Sequence, residues 1–459
     1  MLSKPVPPVI SRELKQAVAA ETIARGNTKL RIWLVTIGEP LPLGVSKGDR
    51  LHRTGQFARF LAAQGHSVLW WTSTFDHFRK VHHFESDTTT AVSPNLSVRA
   101  LKGCGYSRNI SLSRFKDHIQ IARSFAAIAE KCESPDIIVA ALPTVELCRA
   151  CTEYGKFHGV PVILDMRDMW PDLFVDAVPR VARPIARLLL SPLYRQAREA
   201  CNGATAIIGI TEEFVEWGLR RGARKRGPLD RTFPLAYEGT VPPAEKLDAA
   251  DRFWDELGVL KNDSTVNVCY FGNVGVQLDL AHIIEAARVL NRGQRPIKVV
   301  LCGRGERLEE YRRQAKDLPN VLLPGWVDGS QIWSLMGRSA AGLDPLPNRY
   351  DFLATINNKA VEYLSAGLPV ISSPRSGVLC KLLTDESCGV SYSAGSATEL
   401  VETMERLIGD KPGLAAMSAR AKVVFERLFL AESVHKRMAE FLSEVVSHTR
   451  ASLGAAQSS

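Results

Sequence analysis

Two doubly wound α/β domains in series are what three features of this 459-residue sequence predict. Short apolar runs alternate with stretches of helical period through both halves. Most of those runs stop at a glycine or another turn former. The alternation is interrupted once, near the middle. Strand–helix alternation with short connections produces a parallel sheet covered by helices on both faces. At roughly 100–200 residues per domain, the length accommodates two such units. The hydrophobic share of 45% and charged share of 23% suit a chain that buries a core. They exclude a disordered, collagen-like or coiled-coil protein.

Residues 1–29 read as an extension ahead of the first domain. Leu30–Ile37 (LRIWLVTI) is an apolar run ending at Gly38, the pattern of a buried parallel strand. Residues 52–65 carry apolar positions at helical spacing and end at Gly65, a C-cap residue. The order continues as strand Ser67–Trp71, helix 113–131, strand Asp136–Leu142, helix 144–157, strand Val160–Asp165, helix 182–200 and strand Ala204–Ile210. Residues 218–250 contain Gly, Pro and a basic cluster without clear period, and read as the interdomain connection. The second series has strands at Asn267–Phe271, Lys298–Cys302, Val321–Leu323, Ala340–Leu343 and Pro369–Ile371. Helices are expected near 277–291, 306–317, 330–337, 355–366, 396–409 and 413–428. A last helix, 431–447, follows the complete second sheet. The domains are thus expected at 30–232, with the last helix returning to it, and at 233–430. Ligands of such sheets bind beyond the carboxyl ends of the strands, so loops from both domains are expected to face a cleft.

Three segments carry candidate chemistry. In YFGNVG, Tyr270 to Gly275, Gly272 and Gly275 let the backbone approach a ligand, and a helix start near Gln277 offers free amides to a phosphate. A tight strand–helix turn needs the same glycines. In VLCGRGERLEEY, Arg304 sits between Gly303 and Gly305, where its guanidinium can reach a diphosphate bidentately. Leu308 replaces the third glycine of a dinucleotide fingerprint, which disfavours that cofactor. A plain surface turn is the competing reading. In INNKAVEYLSAGLPVISS, Lys359 and Glu362 share one face in the first turns of a helix. A lysine there meets phosphate, and a glutamate one turn deeper accepts two hydrogen bonds from ribose hydroxyls. A solvated Lys–Glu pair is the alternative.

The run NNKAVEYLSAGLPVI resembles the donor-binding segment of retaining nucleotide-sugar glycosyltransferases of the GT4 family, which have the GT-B fold. FGNVG and GRGE match that family's other two turns in order, and ILDMRDMWPDLF (Ile163 to Phe174) resembles a first-domain segment of its bacterial polysaccharide members. The resemblance spans residues 30–445. It implies that Glu362 binds the donor ribose. Lys359 and Arg304 face the diphosphate, with Gly272, Asn273, Gly275 and Gly303 nearby, and Trp326 and Val327 border the base. It implies sugar transfer with retention, from a UDP or GDP donor to a saccharide or polyprenyl-diphosphate-linked acceptor, in cell-surface polysaccharide or glycoconjugate synthesis. It implies no metal and no cofactor, and no pair of aspartates here has D-x-D spacing. Many members carry E-x7-E, but eight positions before Glu362 stands Ala354. A nucleotide-sugar 2-epimerase of the same fold, or a non-catalytic sugar-nucleotide-binding partner protein, are the alternatives.

The first domain is then expected to hold the acceptor through Gly38, Arg50, Arg53, His77 and Arg167, with Gly44, Lys47, Gly48 and Asp49 extending a long loop. Asp168 is the carboxylate assigned to catalysis beside Lys359 and Arg304.

Charge is partitioned unevenly. Residues 1–232 hold 33 Lys+Arg and 22 Asp+Glu, a net of +11, whereas residues 233–459 hold 25 and 27, a net of −2. Two segments concentrate the excess: Pro179–Arg198, with five arginines around an apolar stretch, and RRGARKR, with Arg220, Arg221, Arg224, Lys225 and Arg226. Basic amphipathic stretches bind anionic membrane surfaces at about 1 kcal/mol per basic residue; a core-facing helix with a solvated basic face has the same composition. Nucleic acid is not expected, because no aromatic platform or reader motif accompanies the basic residues. There is no apolar run of about 18 residues and no signal-peptide core at the N-terminus. The expectation is a cytoplasmic protein, peripheral on the inner face of the plasma membrane. Nine cysteines suit that compartment as free thiols, and Cys148 and Cys151, the one C-x-x-C pair, read as helix packing residues.

Overall fold

The computed structural model describes residues 29–43, 50–261 and 265–457. The extension up to residue 28 and the expected loop residues Gly44, Lys47, Gly48 and Asp49 lie outside the described residues. Internal contacts divide the chain into two units. The first takes in the chain to Ile208, Trp217–Arg231 and everything from His435 onward; the second is Gly209–Glu216 and Thr232–Val434.

The first unit is built on an eight-stranded sheet. Its strands are β1 (Arg31–Val35), β2 (Ser67–Ser73), β5 (Thr88–Ser93), β6 (Leu96–Leu101), β7 (Ile137–Ala141), β8 (Val162–Met166), β9 (Ala206–Gly209) and β10 (Arg231–Thr232), and a separate two-stranded pair is formed by β3 (Phe75–Asp76) and β4 (Val81–His82). The spatial order is β10-β9-β8-β7-β1-β2-β6-β5, with β1 paired in parallel to both β2 and β7. Every residue of β7 and β8 is buried, as central parallel strands covered on two faces require. Trp33 on β1 meets Trp71 edge-on at 5.1 Å between ring centroids, and Trp71 meets Phe125 of helix Leu112–Ala129 at 4.9 Å. These rings fill one side of the sheet.

Three expectations need correction here. The hairpin β5–β6 was not read from sequence. Its outer strand, TTTAVS, alternates half-buried and exposed residues and pairs antiparallel at the sheet edge, so it lacks the apolar run by which buried strands are recognised. The expected helix 182–200 is two helices, Arg183–Leu189 and Ser191–Gly203, because Pro192 has no amide to continue the first into the second. Finally, much of 218–250 is regular: helix Glu212–Gly222 runs into it, and helix Ala244–Glu256 begins within it.

The second unit has six strands: β11 (Val266–Asn273), β12 (Ile297–Arg304), β13 (Val321–Gly325), β14 (Ser339–Pro345), β15 (Val370–Ser373) and β16 (Gly389–Ser391). Their order is β13-β12-β11-β14-β15-β16, and every neighbouring pair is parallel. The chain winds outward from β11 to one edge, then restarts beside β11 at β14. That reversal opens a crevice at the strand ends between β11 and β14, the place where doubly wound sheets bind ligands. Two apolar clusters flank the sheet, one under helices Asn358–Ser365 and Lys411–Leu428, the other under Ala281–Arg292 and Ala397–Gly409. Helix Gly377–Asp385 and β16 were not foreseen.

Helix Ala431–Gln457 contributes its residues from His435 onward to the first unit. His435 is buried, with its ring 5.7 Å from those of Phe57 and Phe60. Burial, with repulsion from Arg53, pushes its pKa down from 6.5 to about 4. The unfolded chain therefore takes up this proton at higher pH than the folded one, so stability present above about pH 6.5 is lost as pH falls toward 4. His435→Phe removes this proton, and its acid limb of stability, followed by urea unfolding, is expected to be shallower by about 2 kcal/mol between pH 7 and pH 5.

Candidate functional site

The β11–β14 crevice is built around a carboxylate with no exposure. Asp344, the next-to-last residue of β14, is wholly buried. Its Oδ2 accepts a 2.7 Å hydrogen bond from Asn357 Nδ2, and its Oδ1 lies 3.2 Å from Lys359 Nζ. Asn357 in turn caps helix Asn358–Ser365, its Oδ1 accepting from the Ala360 amide at 2.9 Å. One acid thus fixes the start of the helix and the lysine at its second residue. Lys359 Nζ also lies 4.8 Å from the centre of the Tyr270 ring, a cation–π contact. Burial opposes the ammonium charge, but Asp344, with smaller help from Tyr270 and Glu362, outweighs it and holds the lysine pKa above its ordinary value. Lys359 is therefore a fixed, protonated cation whose side chain is 12% exposed.

Gly272 and Gly303 are direct partners at the ends of β11 and β12, followed by the pair Asn273 and Arg304. The strands approach so closely there that a Cβ on Gly303 would stand 1.9 Å from the Gly272 carbonyl oxygen, and Gly303 has φ +148°. A Cβ on Gly272 would lie 3.2 Å from Lys359 Cε, which puts this backbone against the lysine. Arg304 and Asn273 are exposed. Glu306 closes the turn, its Oε1 accepting from the Val276 amide at 3.4 Å, and a Cβ on the buried Gly275 would stand 3.1 Å from Glu306 Oε2. The helix expected from Gln277 begins only at Ala281, after Leu280, so its amides start six residues beyond Gly275. The groups gathered at the crevice are instead the turn backbone, Lys359 and Arg304. Glu362 is half-buried on the face of Lys359.

Two sequence assignments separate here. Trp326 is 65% exposed after β13, whereas Val327 is 5% exposed and packs in the core with Trp254 and Leu335. Its side chain thus serves packing. Ala354 is buried, and its carbonyl accepts a 2.6 Å hydrogen bond from Thr211 Oγ1. Asp351, three residues earlier, is paired with Arg349 at 2.6 Å.

In the first unit the strand ends hold a second buried acid. Asp165 on β8 is wholly buried; it receives Arg53 Nε at 3.0 Å and Arg167 Nε at 2.8 Å. Arg167 Nη1 reaches Glu39 Oε1 at 2.5 Å and Thr54 Oγ1 at 2.8 Å. Burial alone would raise the Asp165 pKa, but the two guanidiniums bring it below the usual carboxylate range. Burial and the neighbouring Arg167 lower Arg53 despite its partner, whereas Asp165 and Glu39 raise Arg167 against its burial. Arg53, expected to face an acceptor, is therefore an internal strut, and Arg167 is largely spent on Glu39 and Asp165. Gly38, with φ +80°, lies against His77, a Cβ there being 3.7 Å from His77 Cβ. His77 Nδ1 is 2.6 Å from Tyr106 Oη, and burial with nearby Lys80, Arg114 and His118 pushes its pKa to about 4. It is a neutral imidazole at pH 7. Asp168 is half-buried, accepting from the Met169 amide at 2.7 Å, and Arg50 is exposed.

The basic cluster also divides. Arg221 lies 2.6 Å from Asp172, and Arg224 Nη2 3.1 Å from Asp230. Both are structural, so the five-residue run is not a continuous membrane-facing surface. Arg220, Lys225 and Arg226 are exposed. Cys148 and Cys151 are buried in helix Val145–His158, with thiol pKa values raised by burial. Among the described residues no group of three His, Cys, Asp or Glu side chains is placed to hold a metal ion.

Two residues escaped the sequence reading: Asp344 and the capping Asn357. A lone acid ending the otherwise apolar strand SAAGLDP was the available signal, since a charge there needs a buried partner.

Comparison with known proteins agrees with this geometry. Residues 258–424, within the second unit, match the family model of glycosyl transferases group 1. No curated protein matches the chain by sequence. Solved structures match over nine-tenths of it. Sucrose-phosphate synthase (tll1590) from Thermosynechococcus elongatus has a TM-score of 0.68 at 16% identity, covering 91% of this chain and 99% of its own. HepE of Anabaena, in complex with UDP, has 0.60 at 15%, covering 90% and 100%. The catalytic domain of starch synthase IV from Arabidopsis thaliana, bound to ADP and acarbose, has 0.62 at 12%, covering 92% and 100%. The fold is therefore GT-B, two Rossmann-like units. The second carries the group 1 glycosyl transferase segment that the resemblance singled out.

Gly303→Ala is expected to destabilise the second unit by about 2 kcal/mol or more, since the added methyl overlaps a carbonyl. Gly337→Ala, at the end of a helix with nothing within 4 Å, is expected to be neutral or stabilising. Urea unfolding of both variants checks this contrast.

Proposed function

We propose that the chain is a glycosyltransferase that moves a sugar, with retention, from a UDP or GDP donor to a saccharide or polyprenyl-diphosphate-linked acceptor in cell-surface polysaccharide or glycoconjugate synthesis. The observation that carries this reading is Lys359, held protonated by Asp344 against the Gly272 turn. The reaction breaks the bond from the anomeric carbon to the diphosphate oxygen and forms one to an acceptor hydroxyl oxygen. The hydroxyl proton passes to the departing diphosphate. Negative charge grows on that leaving group, and a fixed cation beside it stabilises the transition state more than the ground state. Lys359 and Arg304 supply that charge, and neither metal nor cofactor enters the scheme. Glu362 takes the ribose hydroxyls, Trp326 and the Val327 backbone border the base, and Asp168, Arg50 and His77 stand on the acceptor side. The protein works in the cytoplasm, peripheral on the inner face of the plasma membrane; no helix among the described residues is long and apolar enough to cross a membrane.

Glu362→Ala is expected to lower turnover of UDP or GDP sugars by about 100-fold, as two charge-assisted hydrogen bonds are lost, with the urea midpoint unchanged. Donor consumption assayed with UDP-glucose and GDP-mannose tests this. Unchanged turnover rejects the donor-site assignment. Isomerised sugar nucleotide formed without acceptor identifies an epimerase instead.

A further inference from the structure

The first unit carries an apolar face that its own core does not use. Val181, Ile185, Leu188 and Leu189 are 89%, 63%, 74% and 75% exposed. They lie on the 3₁₀ turn Arg180–Ala182 and helix Arg183–Leu189, spaced four, three and one residues apart, so one helical face presents all four. Scattered exposed aliphatics are ordinary in soluble proteins; four on consecutive turns are not.

The charges on this segment itself are all positive, and exposed acids flank it at Asp176 and Glu199. Between Arg180 and Arg198 the chain has five arginines and no acidic residue. Arg180 and Arg187 are exposed, and Arg183 reaches Asp176 at 3.4 Å. The element is also held in place. Asp172, in the short helix preceding it, accepts from Tyr194 Oη and Trp217 Nε1, both at 2.7 Å, and from Arg221 at 2.6 Å. That acid ties the short helix to helices Ser191–Gly203 and Glu212–Gly222. The exposed helix is thus presented on a fixed base, with Pro192 ending it so that Leu188 and Leu189 stand at its tip.

We propose that helix Arg183–Leu189 is the membrane-docking element of this protein, inserting Val181, Ile185, Leu188 and Leu189 among the acyl chains of an anionic bilayer while Arg180, Arg183 and Arg187 meet lipid phosphates. Helical spacing sets the three arginines on the side away from the four aliphatics, and such an amphipathic helix matches the boundary between headgroups and acyl chains, where both kinds of group are satisfied together. A second protein copy would place these arginines against each other, which charge repulsion disfavours. This proposal rests on the peripheral location given above and moves its main contact from the Arg220–Arg226 run, where Arg221 and Arg224 are already paired, to the aliphatic helix. Lys225 and Arg226 add only screened surface charge.

Co-sedimentation with vesicles of phosphatidylcholine alone, and of phosphatidylcholine with an equal part of phosphatidylglycerol, tests it. The full chain is expected to bind the anionic vesicles and not the neutral ones. Leu188→Gln with Leu189→Gln, which leaves the net charge unchanged, is expected to weaken that binding about tenfold or more at physiological salt. Lys225→Gln with Arg226→Gln is expected to change it less than about threefold at physiological salt. All replaced side chains are exposed, and an unchanged urea midpoint confirms intact protein; UDP binding is read separately by calorimetry. Binding to anionic vesicles that survives both leucine replacements overturns the proposal, as does a wild-type chain that fails to bind them. So does a concentration-dependent dimer, seen by sedimentation velocity without lipid, that the leucine replacements dissolve. UDP bound without vesicle binding rejects docking alone; vesicle binding lost in the leucine variants supports docking whether or not UDP binds, and absent UDP binding then counts only against the donor site.

Discussion

A carboxylate sealed from water at the end of a parallel strand is the constraint on which the second unit's site depends. Asp344 has no solvent to stabilise its charge, so it must be satisfied by donors within the protein. It takes them from Asn357 and Lys359, which lie beyond a loop of more than ten residues. The loop's return, the helix cap and the position of the ammonium are therefore one arrangement. In an apolar crevice Lys359 would be driven toward its neutral form; beside Asp344 it stays charged. The same pair that stabilises the local structure keeps a cation at the mouth of the β11–β14 crevice.

The first unit uses the same device with another stoichiometry. Asp165, equally buried at a strand end, is shared by Arg53 and Arg167, and Glu39 supplies the second negative charge. Two guanidiniums against two carboxylates leave little net charge inside, which is how such a cluster is tolerated away from water. The cluster ties the loop after β1, the start of helix Arg53–Ala63 and the end of β8 together. Being close to neutral, it leaves the first half's positive excess to other residues. Arg53, Arg167, Arg221 and Arg224 are held by buried or half-buried acids, so the net excess resides in other basic residues, among them the exposed Arg180 and Arg187.

How much could be read without coordinates depended on whether a residue's environment was local. The buried strands were legible because full burial on two faces leaves an uninterrupted apolar run, as in β7 and β8. The edge strand β5 was not, since an edge needs only half of its residues to be apolar. The glycine turns at Gly272 and Gly303 were legible as turns, but their direct apposition was not. Lys359 and Glu362 could be placed on one face by spacing alone. Asp344 could not be joined to Lys359, fifteen residues away, without the crossover that brings them together.

The sequence by itself determined the fold class, the order of the strands, the three glycine- and lysine-bearing turns and the division of charge between the halves. Each of these follows from periodicity, turn chemistry or composition, which act over a few neighbouring residues. The tertiary structure alone decided which charged groups are spent inside and which remain outward. It turned Arg53 into a strut, Val327 into core and Asp344 into the anchor of Lys359, and it left Ile185, Leu188 and Leu189 uncovered. The reason is physical: a side chain's partners and its access to water are set by residues far away in the chain, and no local pattern contains them.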